Sequence, residues 1–336
     1  MRLRALAAGI ALLVLPGAGS SAKADALRSI AATYYAQAGR IATITGRDTT
    51  MDYYQRLLDD ADLFSQPSPS DYPAALWQPL LESFADLDTS LATQLIGDSF
   101  RPMSSIRGLG ETLVRSSKDG TMQPVAVYVP ASYSPLRPAP LVVFLHGRSG
   151  AESHLLALQF VSDLAERTGT IVVAPYGRGS YDFHGAESDV YDALDEASRS
   201  FAVDAHKRYL AGYSMGGFSA FRIAPIRPED WSAVMCIAGS LLNSRAGQIV
   251  TAMPNARFYV LTGAKDAIVP TLYPIVTAIF LRDSGLAVTF YSDPNGTHEL
   301  YSLRAILSQA WDDMERGIVR LPTGLSGSAN LPDNAQ

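Results

Sequence analysis

Residues 207–222, KRYLAGYSMGGFSAFR, constrain this chain more than any other stretch. Tyr209, Leu210 and Ala211 read as the end of a buried strand, and the residues after Gly216 fall at helical spacing. Between them lies Gly212-Tyr213-Ser214-Met215-Gly216, a G-x-S-x-G in the strand-to-helix setting of a nucleophile elbow. A turn that tight strains the backbone at Ser214 and leaves no room for large flanking side chains. Gly212 and Gly216 supply the room, and Gly217 lets the helix approach the strand. Ser214 Oγ then stands exposed, with the Met215 N–H and the helix N-terminus aimed at the same point. The same five residues also arise as a plain glycine-rich turn, so the rest of the chain has to decide.

Around this stretch the pattern alternates. Residues 111–116 and 123–129 bracket Lys118-Asp119-Gly120 and predict a β-hairpin. The unbroken apolar run 141–145 predicts a strand buried on both faces. A helix over 155–166, a strand over 171–174 and a helix over 187–201 follow, and then the strand that leads into Ser214. Further strands are expected at 233–237, 257–261 and 287–291, with a helix over 272–281. A last amphipathic helix carries Leu300, Leu303, Leu307, Trp311 and Met314. This succession predicts an α/β fold, a mostly parallel twisted sheet with helices on both faces. Ahead of it, Leu27, Ile30, Tyr34 and Ile41 predict one helix. Met51, Tyr54, Leu58 and Ala61 predict a second, capped by Thr50, and residues 76–95 a third.

A length of 336 residues accommodates one large α/β domain and an appendage. The expected division is a leader over 1–24, a helical N-terminal extension over 25–105, a catalytic domain over 106–320 and a loose tail over 321–336. Arg2 and Arg4, the apolar run 5–15 and the small-residue site Ala22-Lys23-Ala24 make up an export signal. Secretion or a periplasmic location follows, with no membrane span after cleavage. A net charge of −6 and a pI near 5.4 argue against nucleic acid and anionic membrane surfaces as partners. The single cysteine, Cys236, lies in an apolar run and reads as a small buried side chain. Oligomeric state is not legible.

A serine needs a base to take its proton, and the base needs an orienting group. In parallel sheets such groups gather at the carboxyl ends of the strands. His146-Gly147-Arg148-Ser149-Gly150 follows the run 141–145. There the Arg148 N–H is expected to donate to an oxyanion, while His146 is expected to be structural. Asp266 follows the strand over 257–261 and is the candidate acid. His298 follows the strand over 287–291 and is the candidate base, with Asp293 and Glu299 as rival acids. The order Ser, Asp, His is one of the known triad arrangements. Tyr213 and Tyr181 are expected to contact substrate.

LVVFLHGRSG, IVVAPYGRG, RYLAGYSMGGFSAFRIA, FYVLTGAKDAIVP and NGTHEL occur in that order. Residues 110–318 thereby resemble the α/β-hydrolase fold. More narrowly, they resemble secreted esterases of the feruloyl/acetylxylan esterase and polyhydroxybutyrate-depolymerase kind, and prolyl-oligopeptidase-like hydrolases. The resemblance implies Ser214 as nucleophile, Asp266 as acid and His298 as base. It also implies the N–H groups of Met215 and of a residue beside Gly147 as the oxyanion hole. No cofactor is expected: there is no H-E-x-x-H or paired C-x-x-C for a metal and no dinucleotide fingerprint at Gly108-Leu109-Gly110. The expected activity is hydrolysis of carboxylic esters, on a small molecule or on a polysaccharide or polyester. A serine peptidase and a non-catalytic binding protein on the same scaffold are the alternatives. Residues 239–254 are too few for a large lid. The N-terminal helices are expected to pack back on the catalytic part and shape one wall of its cleft.

Overall fold

The computed structural model describes residues 18–70, 72–148, 150–179, 183–322, 325 and 330–334. The leader expected over 1–24 lies largely outside them, and helix α1 (Ala18–Ala36) already runs through Ala24, which is buried. The helix expected to reach Ile41 is divided at Gln37, whose N–H turns back to the Tyr34 carbonyl at 3.0 Å. Leu27 and Tyr34 therefore sit on α1 and Ile41 on α2 (Ala38–Thr45). Helix α3 (Arg47–Leu63) is capped by Gly46 at φ 84°, not by Thr50, which lies in the first turn and donates to the Gly46 carbonyl at 2.7 Å. Its buried face is Tyr53, Arg56, Leu57, Asp60 and Ala61, while Met51 is exposed. That face lies off the apolar stripe read from the sequence because two charged residues belong to it. Helix α4 (Ala74–Gly97) buries Leu80, Phe84, Leu87, Leu91 and Leu95 as expected.

Strands β1 (Gly108–Arg115) and β2 (Met122–Val129) form the predicted antiparallel hairpin. Then come β3 (Ala139–Leu145), α5 (Glu152–Ala157), α6 (Gln159–Thr168), β4 (Ile171–Pro175), α7 (Glu187–Ser200) and β5 (Val203–Tyr213). The helix expected over 155–166 is thus two, divided where Leu158 turns extended at ψ 108°. After β5 the chain runs α8 (Met215–Ile223), β6 (Ala233–Ile237), α9 (Asn243–Ala252), β7 (Arg257–Gly263), α10 (Leu272–Asp283), β8 (Ala287–Asp293) and α11 (Arg304–Arg316). Leu300 and Leu303 occupy a tight 3-10 turn ahead of α11 and not the helix itself. Helix α9 was not expected.

The eight strands form one sheet in the order β1-β2-β4-β3-β5-β6-β7-β8, parallel from β4 to β8, with β2 antiparallel to its neighbours. Alternation along β3 sends Leu141, Val143 and Leu145 to one face and Val142 and Phe144 to the other. The first face is covered by α7 to α10 and the second by α5, α6 and α11. Fully buried side chains of this kind contribute about 1.5–3 kcal/mol each. Cys236 is free and fully buried, and burial pushes its thiol well above the ordinary range. In the tail expected to be loose, Leu331 is buried, and the Asn243 N–H donates to the Pro332 carbonyl at 2.9 Å.

Helices α1 to α4 share a core of their own, closed by Leu113 of β1 and Ala157 of α5. They therefore pack back on the hairpin edge and on α5. Removing them would uncover that apolar surface and leave the buried carboxylates of Glu111 and Glu152 without Arg56, their ion-pair partner. A truncated chain starting at Met103 is expected to aggregate, or to melt ~5 °C or more below the full chain, in calorimetry with light scattering. Equal melting and a monodisperse peak would make the helices an independent module.

Candidate active site

Strand β5 lies in the interior of the sheet, and its carboxyl end delivers the turn that holds Ser214. There Ser214 adopts φ 52°, ψ −117°, a left-handed conformation rare for a side chain with a Cβ. The turn closes because a Cβ on Gly212 would lie 2.0 Å from the Gly216 carbonyl oxygen, so only glycine fits. The Ser214 N–H donates to the Ile237 carbonyl at the end of β6 (2.8 Å), and the Phe218 N–H to the Ser214 carbonyl (3.1 Å). These bonds leave Ser214 Oγ half-buried at the N-terminus of α8, facing a cleft of about 770 Å³.

The neighbouring strand ends bring two loops to this point. After β7 the chain turns through Asp266, and after β8 through His298. His298 Nε2 lies 2.9 Å from Ser214 Oγ, and His298 Nδ1 lies 2.8 Å from Asp266 Oδ2. Asp266 Oδ1 accepts from the N–H groups of Ile268 (2.9 Å) and Val269 (2.8 Å). Burial pushes the Asp266 carboxyl up, but these bonds and the one from His298 outweigh it and hold the group below its ordinary value. An ionised Asp266 can only accept, so Nδ1 carries the imidazole proton and Nε2 is left to accept from the Ser214 hydroxyl. The arrangement can take a proton from Ser214 and stabilise the imidazolium that results.

The rival acids stand elsewhere. Asp293 accepts from the N–H groups of Asn295 (2.8 Å) and Gly296 (2.9 Å) and so folds the loop that leads to His298. Glu299 is exposed at the cleft mouth. Tyr213 lines the cleft, but its hydroxyl donates to the His298 carbonyl at 2.8 Å and its ring lies 5.4 Å from the imidazole. It therefore supports the histidine loop. Tyr181 lies outside the described residues. His146 is fully buried, with Nε2 3.0 Å from the Tyr176 carbonyl oxygen, and burial lowers its basicity. Arg148 and Met215 both line the cleft beside Ser214.

Three features of the site escaped the sequence. Gly147 is one: a Cβ there would meet the Tyr213 ring at 2.9 Å, so its absence brings the Arg148 loop against the elbow. The second is the meeting of Gly263 and Gly296, where a Cβ on Gly263 would lie 2.3 Å from the Gly296 carbonyl oxygen. The third is α9, which brings Leu242, Ser244 and Arg245 to the cleft. The N-terminal helices contribute none of its described lining residues. They border a separate cavity of about 470 Å³ instead, shared with Gly150 and Ala151. The expected wall of the Ser214 cleft is therefore not theirs.

A family model described as "Alpha/beta hydrolase family" matches residues 142–335, more than half of the sequence. The chain belongs to the alpha/beta hydrolase family. Among curated relatives, feruloyl esterase C of Emericella nidulans is 25% identical over 169 residues, 47% of this chain and 63% of that protein. A bifunctional acetylxylan esterase/xylanase of Neocallimastix patriciarum is 27% identical over 109 residues, 31% of this chain and 16% of that protein. The chain thus spans less than two thirds of the length of either relative. In structure it is similar to the serine hydrolase FphF of Staphylococcus aureus, with TM-score 0.51, 14% identity, and 62% of this chain and 98% of that one covered. It is likewise similar to the ferulic acid esterase AmCE1/Fae1A of Anaeromyces mucronatus, with TM-score 0.51, 16% identity, and 62% and 90% covered.

The Gly263–Gly296 contact holds the Asp266 and His298 loops together. Gly263→Ala is expected to force them apart and slow labelling of Ser214 by a fluorophosphonate by about 10²-fold, with the circular dichroism spectrum retained. Unchanged labelling would show that this contact does not set the geometry.

Proposed function

We propose that the protein is an exported serine hydrolase that cleaves carboxylic esters, with an acyl or aryl ester on a polysaccharide as its substrate class. The observation that carries this reading is the hydrogen-bonded series Ser214 Oγ, His298 Nε2, His298 Nδ1, Asp266 Oδ2 at an open cleft. Feruloyl and acetylxylan esterases among the relatives support the ester and the polysaccharide. The basic and apolar N-terminus supports export, and among the described residues no helix is long and apolar enough to cross a membrane.

In this reading Ser214 Oγ attacks the ester carbonyl carbon as its proton passes to His298 Nε2. The carbonyl π pair moves onto oxygen, and the oxyanion is met by the N–H groups of Met215 and Arg148. Collapse of the tetrahedral species expels the alcohol, which takes the proton from His298 and leaves an acyl-Ser214. Water, deprotonated in turn by His298, attacks the acyl carbon and releases the acid with Ser214 restored. Asp266 stays ionised throughout and holds the imidazole in one tautomer.

A panel of p-nitrophenyl acyl esters, methyl ferulate and aminoacyl-p-nitroanilides is expected to show turnover of the esters and little of the anilides. The reverse preference would make the protein a peptidase, and turnover of none a binding protein. Ser214→Ala is expected to lose several orders of magnitude in kcat with the fold intact. Asp266→Asn is expected to lose roughly 10³–10⁴. Asp293→Asn is expected to lose far less, because it folds the histidine loop without facing the imidazole. Equal losses at the two aspartates would move the acid to Asp293.

A further inference from the structure

Arg56 is one of the two charged residues on the buried face of α3. It is 9% exposed and reaches the boundary between the N-terminal helices and the sheet. Its Nη1 lies 2.9 Å from Glu152 Oε1, and its Nη2 lies 3.2 Å from Asp88 Oδ1 and 3.7 Å from Glu111 Oε1. The guanidinium also covers the Tyr53 ring, 4.4 Å from its centroid. Asp60 and His154 complete the cluster, paired at 2.9 Å.

Four buried carboxylates around one arginine and one histidine need compensation. Carboxyls that keep their protons supply part of it. Burial holds Glu111 and Asp88 well above the ordinary range. Burial also pushes Glu152 and Asp60 up, but the charges of Arg56 and His154 respectively outweigh it and keep them ionised. The ligand atoms of Asp60, Asp88 and His154 lie within 4.8 Å of one another.

The position of Glu152 gives this cluster a consequence for the cleft. Glu152 is the first residue of α5 and directly follows the loop that begins at His146 and carries the Arg148 N–H. The start of the same loop is also tied to α3: the Tyr176 hydroxyl donates to Asp52 Oδ2 at 3.3 Å, and the Tyr176 carbonyl faces His146 Nε2. Helix α3 therefore holds the loop at both ends, while Gly147 presses it against Tyr213 and Ser214. We infer that Arg56 is a positioning residue for the oxyanion hole, setting through Glu152 the loop that carries the Arg148 N–H. This rests on the reading of Ser214 as the nucleophile, and it gives the N-terminal helices a part in the reaction without lining the cleft.

The test uses the full chain with Arg56→Lys, which keeps the charge but loses the two-pronged contact, and Glu152→Gln. Melting temperatures are taken first, and kinetics are then measured well below them on p-nitrophenyl acetate. Both variants are expected to lose roughly 10²-fold in kcat with KM little changed, because a misplaced oxyanion donor is felt only in the transition state. Inhibition by phenylboronic acid, whose adduct puts an oxygen in the oxyanion hole, is expected to weaken in parallel. Amide exchange of peptides spanning 147–151 is expected to speed up by about tenfold or more, with residues 215–218 unchanged. Variants that melt lower yet keep kcat, boronate affinity and loop exchange would reduce Arg56 to a structural role. Should the wild-type chain hydrolyse no ester, the reading of Ser214 fails, and the exchange measurement still decides whether Arg56 holds the loop.

Discussion

A serine held at φ 52° and ψ −117° is the constraint on which the rest of this structure depends. Such a conformation costs on the order of 1–3 kcal/mol and persists only where the surroundings leave no alternative. Here β5 ends the turn from below and the Ile237 carbonyl holds the Ser214 N–H from the side. The carbonyl of Gly216 occupies the space where Gly212 would otherwise carry a Cβ. The fully apolar strands on either side of β5 supply the burial that outweighs the strain. A sheet with helices on both faces is thus the support that lets one hydroxyl face the cleft in a fixed direction.

The same sheet brings the other two members of the series to that hydroxyl. Asp266 and His298 lie 32 residues apart, on loops that leave adjacent parallel strands at the same end. Their approach is set by backbone contact: the Lys265 N–H donates to the Gly296 carbonyl at 2.8 Å and the Ala264 N–H to the Asp293 carbonyl at 2.8 Å. Asp293 folds one loop and the amides of Ile268 and Val269 fix the carboxylate of the other. The chemistry therefore depends on side chains whose freedom was removed by neighbours that take no part in it.

The buried cluster around Arg56 shows the opposite economy. Charged side chains taken out of water are costly, and pairing restores only part of that cost. Their place is the seam between α3, α4, β1 and α5, where an apolar seam of equal volume would hold the parts together at least as well. Residues chosen against simple burial indicate a requirement for one relative position of these elements, and the loop beside Ser214 is what that position controls.

Much of this was legible in the chain as written. G-x-S-x-G between an apolar run and a helical pattern dictates a strained turn, because only glycines fit beside it. Apolar runs of five at 141–145 and 233–237 dictate strands covered on both faces, since no polar side is left to face water. The order Ser214, Asp266, His298 follows from each residue standing just past such a run. Other features follow from contacts between distant segments, which no local pattern records. Gln37 and Leu158 break helices that periodicity alone continues. Arg56 and Asp60 are buried although apolar spacing points to Met51 and Tyr54 as the buried side, because their partners Glu152 and His154 lie about 95 residues on. That His298 Nδ1 points at Asp266 and away from Asp293 is set by the tertiary packing of two loops.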